Sequence, residues 1–311
     1  MRKSKKIVAI QGDDIKKINT KTDTTFLLAL EAQRRGYKIY YYETKNLTFF
    51  NNNIYALCKV VKFIEGKKIF YSIEGLRLLN LAKSSFILMR QNPPFNMDYI
   101  TATFLLDRIS KKTKIVNNPF AVRNMPEKLY AIKFLKLMPP TIFTKSIDEI
   151  YKFKKKYKYI VIKPTHGYGG KNILFVNKNL IKAKITSYLK KHEHLMVQKF
   201  IPAIKYGDKR IFIIGGNIRG AIRRIPKKGS NLSNIGQGGN AVKTTLTYRE
   251  MKIAKIVAKN LKKDNIVFAG IDLISNYLTG DINITSPTGL KNFKDLTGID
   301  LAVDFWNYIE K

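Results

Sequence analysis

Segments typical of strands and of helices alternate in the first part of this 311-residue chain. Short apolar runs that predict strands occupy residues 5–10, 37–43, 86–90 and 114–119, and segments with helical periodicity occupy the intervals between some of them. Strands separated by helices are typical of a parallel sheet, because each return to the same sheet edge needs a crossover connection. The alternation therefore predicts an α/β, doubly wound and largely parallel sheet.

The pattern changes after Pro119. Here the chain offers strand runs at 159–164, 171–176 and 195–201, and a hairpin over 210–225 with a Gly-Gly-Asn turn. Helices are predicted at 146–157, where Ser146 and Glu149 have the spacing of a capping box, and at 247–264. Two further strands are predicted at 268–275 and 281–286. This order predicts a second region of α+β type.

The formal net charge of +36 is large enough to raise the question of a nucleic-acid partner. The excess is mostly lysine, which accompanies abundant Asn, Ile and Tyr, a mixture that an A/T-rich coding sequence produces without selection for a partner. No zinc-finger spacing or aromatic RNA-binding signature is present. We therefore expect no nucleic-acid partner, whereas anionic small substrates agree with the charge.

Neither a membrane segment nor an export signal is predicted. No apolar run approaches the ~20 residues that a membrane helix needs, and acidic residues interrupt the first apolar stretch, so the N-terminus is interpreted as a strand. The single cysteine, Cys58, excludes an intramolecular disulfide. These features predict a cytoplasmic protein with no membrane partner.

A glycine-containing loop joins two of the predicted strands in the stretch VIKPTHGYGGKNILFV, residues 161–176. It is not a P-loop, because Thr165 stands where the first glycine is required and Asn172 where Ser or Thr is required. It is not a dinucleotide fingerprint either, since no helix follows. A loop between two strands can fold over a nucleotide as a flap. The glycines of this flap, Gly167, Gly169 and Gly170, let backbone N–H groups approach phosphate.

Residues suited to phosphoryl transfer accompany this loop. Lysines supply point charges to phosphates. Asp281 and Asn283 lie two residues apart, so that in a strand both side chains point to the same face and reach one cation. Oxygen ligands without Cys or His suit Mg²⁺ bridging ATP phosphates. The predicted phosphoryl-transfer set is Lys128, Lys163, Asp208, Arg210, Arg224, Asp272, Asp281 and Asn283.

The order of motifs resembles the ATP-grasp superfamily and, more narrowly, the bacterial glutathione synthetases. The resemblance runs over nearly the full chain. The motifs that carry it are LEAQRRGY (30–37), ILMRQNPPF (87–95), MPEKL (125–129), IKPTHGYGG (162–170), IPAIKYGDKRIFI (201–213), RRIP (223–226), GIDLI (270–274) and INITSPTG (282–289).

The resemblance implies a fold and a reaction. The fold is an N-terminal substrate-side domain over residues 1–122 and an ATP-grasp domain of two α+β lobes over 123–311, whose small lobe covers the nucleotide at about 129–201. The reaction joins γ-glutamylcysteine to glycine through an acyl phosphate, giving glutathione, ADP and phosphate. ATP and Mg²⁺, or Mn²⁺ in its place, are the implied cofactors, and a homo-oligomer, specifically a tetramer, is the implied assembly.

Roles in ATP binding follow from matching motif positions. Lysines and flap glycines are expected to hold the phosphates, a strand edge to meet adenine through its backbone, and an aspartate to lie on the ribose side. The residues expected at the phosphates are Lys128, Lys163, Gly167, Gly169 and Gly170. Those expected at adenine are Gln198, Lys199, Phe200 and Ile201, and the one expected at the ribose is Asp208.

The resemblance also implies catalytic, metal and substrate residues. Arginines are expected to stabilise the acyl phosphate, oxygen ligands to bind Mg²⁺, and residues of both domains to contact the dipeptide and glycine. The implied catalytic arginines are Arg210 and Arg224, and the implied metal ligands are Asp272, Asp281 and Asn283. The implied substrate residues are Asp23, Arg90, Ser286, Thr288 and Gly289. Residues 226–240, rich in Gly, Asn and Ser, are expected to form a mobile lid that excludes water.

One position departs from the family pattern. Members of the family usually read L-T-E-I-N at the metal strand, whereas this chain reads LTGDIN, with Asp281 in place of glutamate and Gly280 inserted before it. Aspartate is one methylene shorter. An inserted glycine permits a β-bulge, which would move the backbone inward and restore the reach.

Two other functions are compatible with parts of the sequence. One is a different ATP-grasp carboxylate–amine ligase, acting on a peptide or protein terminus; the motifs implied to meet the dipeptide argue against it. The other is a basic nucleic-acid-binding protein on a decayed ligase fold, which ATP turnover and a salt-dependent DNA titration would separate from an enzyme.

Overall fold

The first sheet in the computed structural model, which describes residues 6–178 and 181–311, has a parallel centre and an antiparallel margin. Its strand order is β3-β4-β2-β1-β6-β7, with β5 also paired to β4. Strands β2, β1, β6 and β7 run parallel, and β3, β4 and β5 are antiparallel. The elements are β1 (Ile7–Gln11), α1 (Thr24–Arg34), β2 (Lys38–Tyr42), β3 (Leu47–Phe50), β4 (Asn53–Phe63), β5 (Tyr71–Asn80), β6 (Phe86–Met89), α2 (Met97–Asp107), β7 (Lys114–Val116) and α3 (Pro119–Asn124).

The predicted parallel strands and their helices are therefore confirmed. The antiparallel strands β3 to β5 were not predicted. Of the three, β4 packs one face on the core, where Ile54, Ala56 and Cys58 are fully buried, whereas β3 and β5 are mostly exposed.

The second sheet is antiparallel and has the order β10-β9-β11-β8. Its flap strands pair as predicted, with Leu174 opposite Ile162. The Ser146 hydroxyl accepts a hydrogen bond from the Glu149 N–H, which confirms Ser146 as the N-cap of α5. The elements are α4 (Glu127–Tyr130), β8 (Thr141–Thr144), α5 (Ile147–Tyr157), β9 (Ile160–Pro164), β10 (Leu174–Val176), α6 (Lys182–His192) and β11 (Leu195–Lys199).

The third sheet has the order β14-β13-β12-β15-β16. The hairpin predicted over 210–225 is confirmed. The strand predicted at 281–286 is wrong in position, since β16 begins at Tyr277 and ends at Asn283. Its pairing with β15 extends back to Tyr277, which is opposite Ile274. The elements are β12 (Asp208–Ile214), β13 (Asn217–Ile225), β14 (Asn240–Lys243), α7 (Tyr248–Lys263), β15 (Phe268–Ile274), β16 (Tyr277–Asn283), α8 (Leu290–Thr297) and α9 (Leu301–Ile309).

The C-terminal helix α9 joins the first sheet to the third. Trp306 and Phe305 are fully buried in the same hydrophobic core as Leu27 and Phe212. The Trp306 indole donates a hydrogen bond to the Leu28 carbonyl at 2.9 Å. The first and third sheets thus share one core. The domain boundaries proposed from the sequence, at 122/123, stay a prediction.

A buried asparagine ties the two regions together at the end of β7. The Asn117 amide nitrogen donates to the carbonyls of Phe268 and Ile284 at 2.7 and 2.6 Å. Its amide oxygen accepts from the N–H groups of Val267 and Phe268 at 3.0 and 2.8 Å. This side chain therefore fixes the first sheet against the strand that carries Asp272.

A membrane span would need a longer and more apolar helix than any that the described residues form.

We predict that Asn117→Asp lowers the free energy of unfolding in urea by about 3 kcal/mol or more. The new carboxylate oxygen would face two carbonyls to which the amide nitrogen now donates. Asn124→Asp is the matched control, because the exposed Asn124 amide donates only to the Phe120 carbonyl. Equal losses for the two variants would contradict a bridging role for Asn117.

Candidate active site

A cavity of about 500 Å³ lies between the second and third sheets. The flap between β9 and β10 forms one wall, and β12, β13, β15 and β16 form the opposite wall. Asp23, Asn92 and Pro93 of the first region close one side.

Nearly all of the predicted site residues line this cavity. The set comes from three distant parts of the chain and includes every residue proposed for ATP, the metal and catalysis. Its members are Asp23, Lys128, Lys163, Gly167, Gly169, Gly170, Gln198, Lys199, Phe200, Ile201, Asp208, Arg210, Arg224, Asp272, Asp281, Asn283, Ser286, Thr288 and Gly289.

Arg90 is the predicted residue that does not line it. Its buried guanidinium donates to the Thr25 hydroxyl at 3.1 Å and to the Pro287 carbonyl at 2.9 Å. Burial lowers the pKa of Arg90 to about 10. Arg90 therefore contacts the 286–289 loop through the Pro287 carbonyl, and its role toward the substrate stays a prediction.

Two cross-strand ion pairs form the floor of the cavity. Asp208 on β12 is opposite Arg224 on β13, and Arg210 on β12 is opposite Asp272 on β15. Each arginine grips its carboxylate with two nitrogens. Arg224 also reaches Asp272 at 2.8 Å, so the four side chains form one buried network. All four alternate along neighbouring strands, which places them on the same face.

The network constrains what each member can do. Both oxygens of Asp208 accept hydrogen bonds from Arg224, so the arginine holds this carboxylate in place. Burial alone would raise the pKa of Asp272, but Arg210 and Arg224 lower it below the usual value. Asp272 therefore stays ionised. The remaining Arg210 nitrogen, Nη1, points to the Thr288 carbonyl at 3.4 Å, toward the loop of Ser286 and Gly289.

Two lysines converge on Asp281. Lys163 Nζ lies 3.0 Å from Oδ2 and Lys128 Nζ lies 3.3 Å from Oδ1. Burial opposes ionisation of this carboxyl, but Lys163 and Lys128 together hold the pKa of Asp281 well below its usual range. Lys128 also donates to the carbonyl of Gly167 in the flap. The lysines are thus arranged at one point of the cavity, beneath the glycine loop.

The predicted bulge before Asp281 is present. Ile271 pairs with Ile282 and Leu273 pairs with Leu278, so Asp272 stands opposite the whole segment 279–281. Gly280 has a φ of +86°, a conformation that glycine adopts without steric cost. A Cβ on Gly280 would lie 2.5 Å from the Met196 methyl carbon. The bulge directs Asp281 into the cavity.

The cavity wall contains oxygen ligands suited to Mg²⁺. The Asn283 amide oxygen is buried and accepts no hydrogen bond from any residue between 6 and 178 or between 181 and 311. An unpaired buried oxygen is costly unless a ligand satisfies it. Within those same ranges no cluster of three or more His, Cys, Asp or Glu could hold a metal. A cation here would therefore need the Asn283 amide beside the carboxylates of Asp272 and Asp281.

The end of β11 offers a surface for a planar base. Phe200 stacks on Tyr159, with ring centroids 3.8 Å apart, and Phe175 meets Phe200 edge to face. The N–H groups of Lys199 and Phe200 already donate to the carbonyls of Pro140 and Tyr159. The N–H of Ile201, however, donates to no described residue, so it is the free donor along this edge.

Part of the predicted lid lies over the cavity. Residues 231–236 line the cavity opposite the flap. The Gln237 amide nitrogen lies 3.3 Å from the Gly169 carbonyl, and a Cβ on Gly170 would come within 2.5 Å of the Asn234 amide oxygen. The absence of a side chain at Gly170 therefore permits the close contact between the two loops.

Glu127 is a cavity residue that the sequence analysis did not select. It precedes Lys128 at the start of α4, within the motif MPEKL that carries part of the resemblance. Burial raises the pKa of Glu127 to about 6, although Lys128 acts in the opposite direction. The signal, a carboxylate beside the lysine of MPEKL, was present in the sequence. Asn92 and Pro93 were missed in the same way, inside ILMRQNPPF.

Family models match almost the whole chain. The N-terminal domain of prokaryotic glutathione synthetase matches residues 7–123, and its ATP-grasp domain matches residues 127–298. Glutathione synthetase of Bradyrhizobium diazoefficiens is 39% identical over 98% of each chain. The enzyme of the same name from Rhodopseudomonas palustris is 38% identical over 97% of each chain.

Solved structures share the fold at low sequence identity. D-cycloserine synthetase DcsG aligns over 97% of this chain and 98% of its own, with a TM-score of 0.67 and 14% identity. An ATP-grasp ligase PsnB complexed with a minimal precursor aligns over 97% of each chain, with a TM-score of 0.60 and 12% identity. The fold is therefore that of the ATP-grasp enzymes.

We predict that Gly280→Ala lowers the free energy of unfolding by about 2–4 kcal/mol, because it adds both backbone strain and contact with methionine side chains. Gly298→Ala is the matched control. Gly298 has a similar φ of +76°, but nothing lies within 4 Å of its added Cβ. Gly298→Ala should cost only the strain, about 1 kcal/mol. Urea unfolding measures both, and equal losses would show that the packing beside Gly280 is not tight.

Proposed function

The chain belongs to the prokaryotic glutathione synthetases, and from that premise we propose which of its residues carry each part of the reaction. The protein catalyses the ATP-dependent synthesis of glutathione. The substrate carboxylate is a poor electrophile, so the γ-phosphoryl group of ATP is transferred to it, giving an acyl phosphate and ADP. The amine of glycine then attacks the carbonyl carbon, phosphate leaves, and the amine loses a proton.

One observation carries the assignment of residues. The lysines, the arginine–aspartate network and the glycine flap converge on one cavity from distant parts of the chain. Both reactants are anions, and negative charge must be neutralised while the phosphoryl group moves. A site that brings these cations together beneath a flexible loop performs that task.

The two lysines hold the phosphates of ATP. In the structure Lys128 and Lys163 are paired with Asp281. Both can turn toward phosphate oxygens while remaining close to Asp281, since an ammonium has three donors. The N–H groups of Gly167, Gly169 and Gly170 close over the same phosphates. Adenine lies beside Phe175 and Phe200. It accepts a hydrogen bond from the free N–H of Ile201, next to Gln198 and Lys199.

Arg210 acts on the reacting carboxylate. Its Nη1 is the guanidinium nitrogen that neither carboxylate of the network takes, and it faces the loop of Ser286, Thr288 and Gly289. Arg210 there stabilises the acyl phosphate and the oxyanion that forms on attack. Arg224 is held between Asp208 and Asp272 and orients these two carboxylates. We therefore assign Asp208 to positioning Arg224 in addition to its predicted place near the ribose.

Asp272, Asp281 and Asn283 would hold Mg²⁺, or Mn²⁺ in its place. Bound there, the ion would neutralise phosphate charge. The fit rests on the unpaired Asn283 oxygen and on two carboxylates whose pKa values lie below the usual range. Asp281 accepts from Lys128, Lys163 and the Thr279 hydroxyl.

The first region supplies the dipeptide side of the cavity. We propose that Asp23, beside Asn92 and Pro93, meets γ-glutamylcysteine, and that Arg90 supports the 286–289 loop from behind. These contacts distinguish the reaction from ligation to a peptide or protein terminus. The cytoplasmic location, the homo-oligomer and the absence of a nucleic-acid partner stay predictions from the sequence.

We predict that phosphate release from ATP requires γ-glutamylcysteine, glycine and Mg²⁺ together. The lid and flap should exclude water from the acyl phosphate, so omission of glycine should reduce release to about a tenth or less of the full rate. A phosphate-release assay with each component left out in turn measures this. Equally fast release without γ-glutamylcysteine would mean that the acceptor carboxylate has been assigned to the wrong molecule.

Asp281→Asn should lower kcat/KM by about 10- to 100-fold, because one negative charge toward the cation is lost. Asp281→Glu alone should also be impaired, since the longer side chain overshoots the bulge. Deletion of Gly280 together with Asp281→Glu should restore activity. Turnover is measured across a Mg²⁺ titration. If Asp281→Asn retains normal turnover at every concentration, Asp281 is not a ligand and Asp272 is the principal one.

A further inference from the structure

Glu127 is a cavity carboxylate that is held neither by an ion pair nor by a backbone N–H of the described residues. The side chain lines the cavity and forms no ion pair with any residue in the described ranges 6–178 and 181–311. Its closest polar contact is the Thr285 hydroxyl, at 3.5 Å from Oε1. That distance is too long for a strong hydrogen bond.

Of the other four cavity carboxylates, three are held in ion pairs and one caps a helix. Asp208 and Asp272 are gripped by Arg224 and Arg210, and Asp281 is held by two lysines. Asp23 is the N-cap of α1, and its Oδ1 accepts the Phe26 N–H at 2.9 Å. Glu127 therefore differs from them in that no ion pair and no backbone N–H of a described residue holds its carboxylate.

An unpaired carboxylate is unfavourable for anionic ligands such as ATP or the reacting carboxylate. Burial raises the pKa of Glu127 to about 6, so the charges of Lys128 and Arg210 compensate its charged form only in part. A cationic group would supply that compensation. The substrates of glutathione synthesis carry two such groups, namely the α-ammonium of the glutamyl residue and the ammonium of free glycine.

The position of Glu127 separates these two candidates. Its neighbour Lys128 lies 3.3 Å from Asp281, and Thr285 lies between Asn283 and Ser286 in the chain, so Glu127 is at the reacting end of the cavity. The glutamyl ammonium is distant from the carboxylate that reacts, because the glutamyl side chain and the cysteine separate them. The amine of glycine must reach that carboxylate.

We propose that Glu127 binds the ammonium group of the acceptor amino acid and orients it beside the acyl phosphate, with Thr285 as its neighbour. This rests on the proposed function and adds to it a residue for the acceptor. Glu127 thus selects for a free amino acid whose amine is cationic when it arrives.

The test is Glu127→Gln, which keeps the shape and removes the charge. The glycine KM should rise by about 10- to 100-fold, the range expected when a hydrogen bond to a charged group is lost. The KM values for ATP and γ-glutamylcysteine should stay within about twofold. Glu127→Asp should recover part of the glycine affinity. Glu149→Gln, at an exposed residue of α5 that pairs with Lys152, is the control and should leave all three unchanged.

An uncharged nucleophile separates acceptor binding from a general structural defect. Hydroxylamine, largely neutral at pH 7.5, converts an acyl phosphate to a hydroxamate without needing an anion to hold it. Glu127→Gln should form hydroxamate at close to the wild-type rate while losing reaction with glycine. Equal losses with both nucleophiles, or an unchanged glycine KM, would overturn the proposal. If the wild-type enzyme forms neither product, the failure lies in the proposed function instead.

Discussion

Electrostatic balance in the cavity is the constraint on which the rest of the structure depends. Four cations must stand close together to bind anionic reactants, and like charges in a confined space repel one another. Asp208, Asp272 and Asp281 offset that repulsion in the absence of ligand. Removing Asp272 would leave Arg210 unpaired and removing Asp281 would leave both lysines unpaired, and an unpaired buried cation is costly. The arginines and carboxylates therefore act as one unit. The sheet that carries them must keep the strand pairing that places them opposite one another.

The fold provides that register by strand pairing. Asp208 opposite Arg224 and Arg210 opposite Asp272 are direct cross-strand partners, so each pair is set by backbone hydrogen bonds rather than by side-chain choice. The lysines come from outside this sheet, with Lys163 on β9 of the second sheet and Lys128 on α4. Their pairing with Asp281 joins them to the third sheet. Phosphate binding in the same place would replace an internal ion pair by a substrate contact.

How far the sequence predicts this site depends on how local each signal is. Lys163 and the flap glycines stand in one short motif, and the period of two places Asp281 and Asn283 on one face, so both groups were predictable. Strands β3 to β5 and the helix α9 were not, because their places depend on contacts with residues far away in the chain, such as Trp306 with Leu28. Glu127 was missed for a related reason: a carboxylate gains significance only once its cationic neighbours are known to be occupied elsewhere.

Solved ATP-grasp neighbours share this fold at 12–14% identity. The phosphate end of the cavity makes demands that any nucleotide-dependent ligation shares, namely cations, a flap and oxygen ligands for a cation. The acceptor end differs with the nucleophile, since a free amino acid brings a positive charge that a neutral amide or hydroxyl group does not. A carboxylate in the position of Glu127 has a physical reason to be present only where the acceptor is cationic. The distribution of paired and unpaired carboxylates around the cavity therefore separates the phosphate end of the site from the end that we propose selects the acceptor.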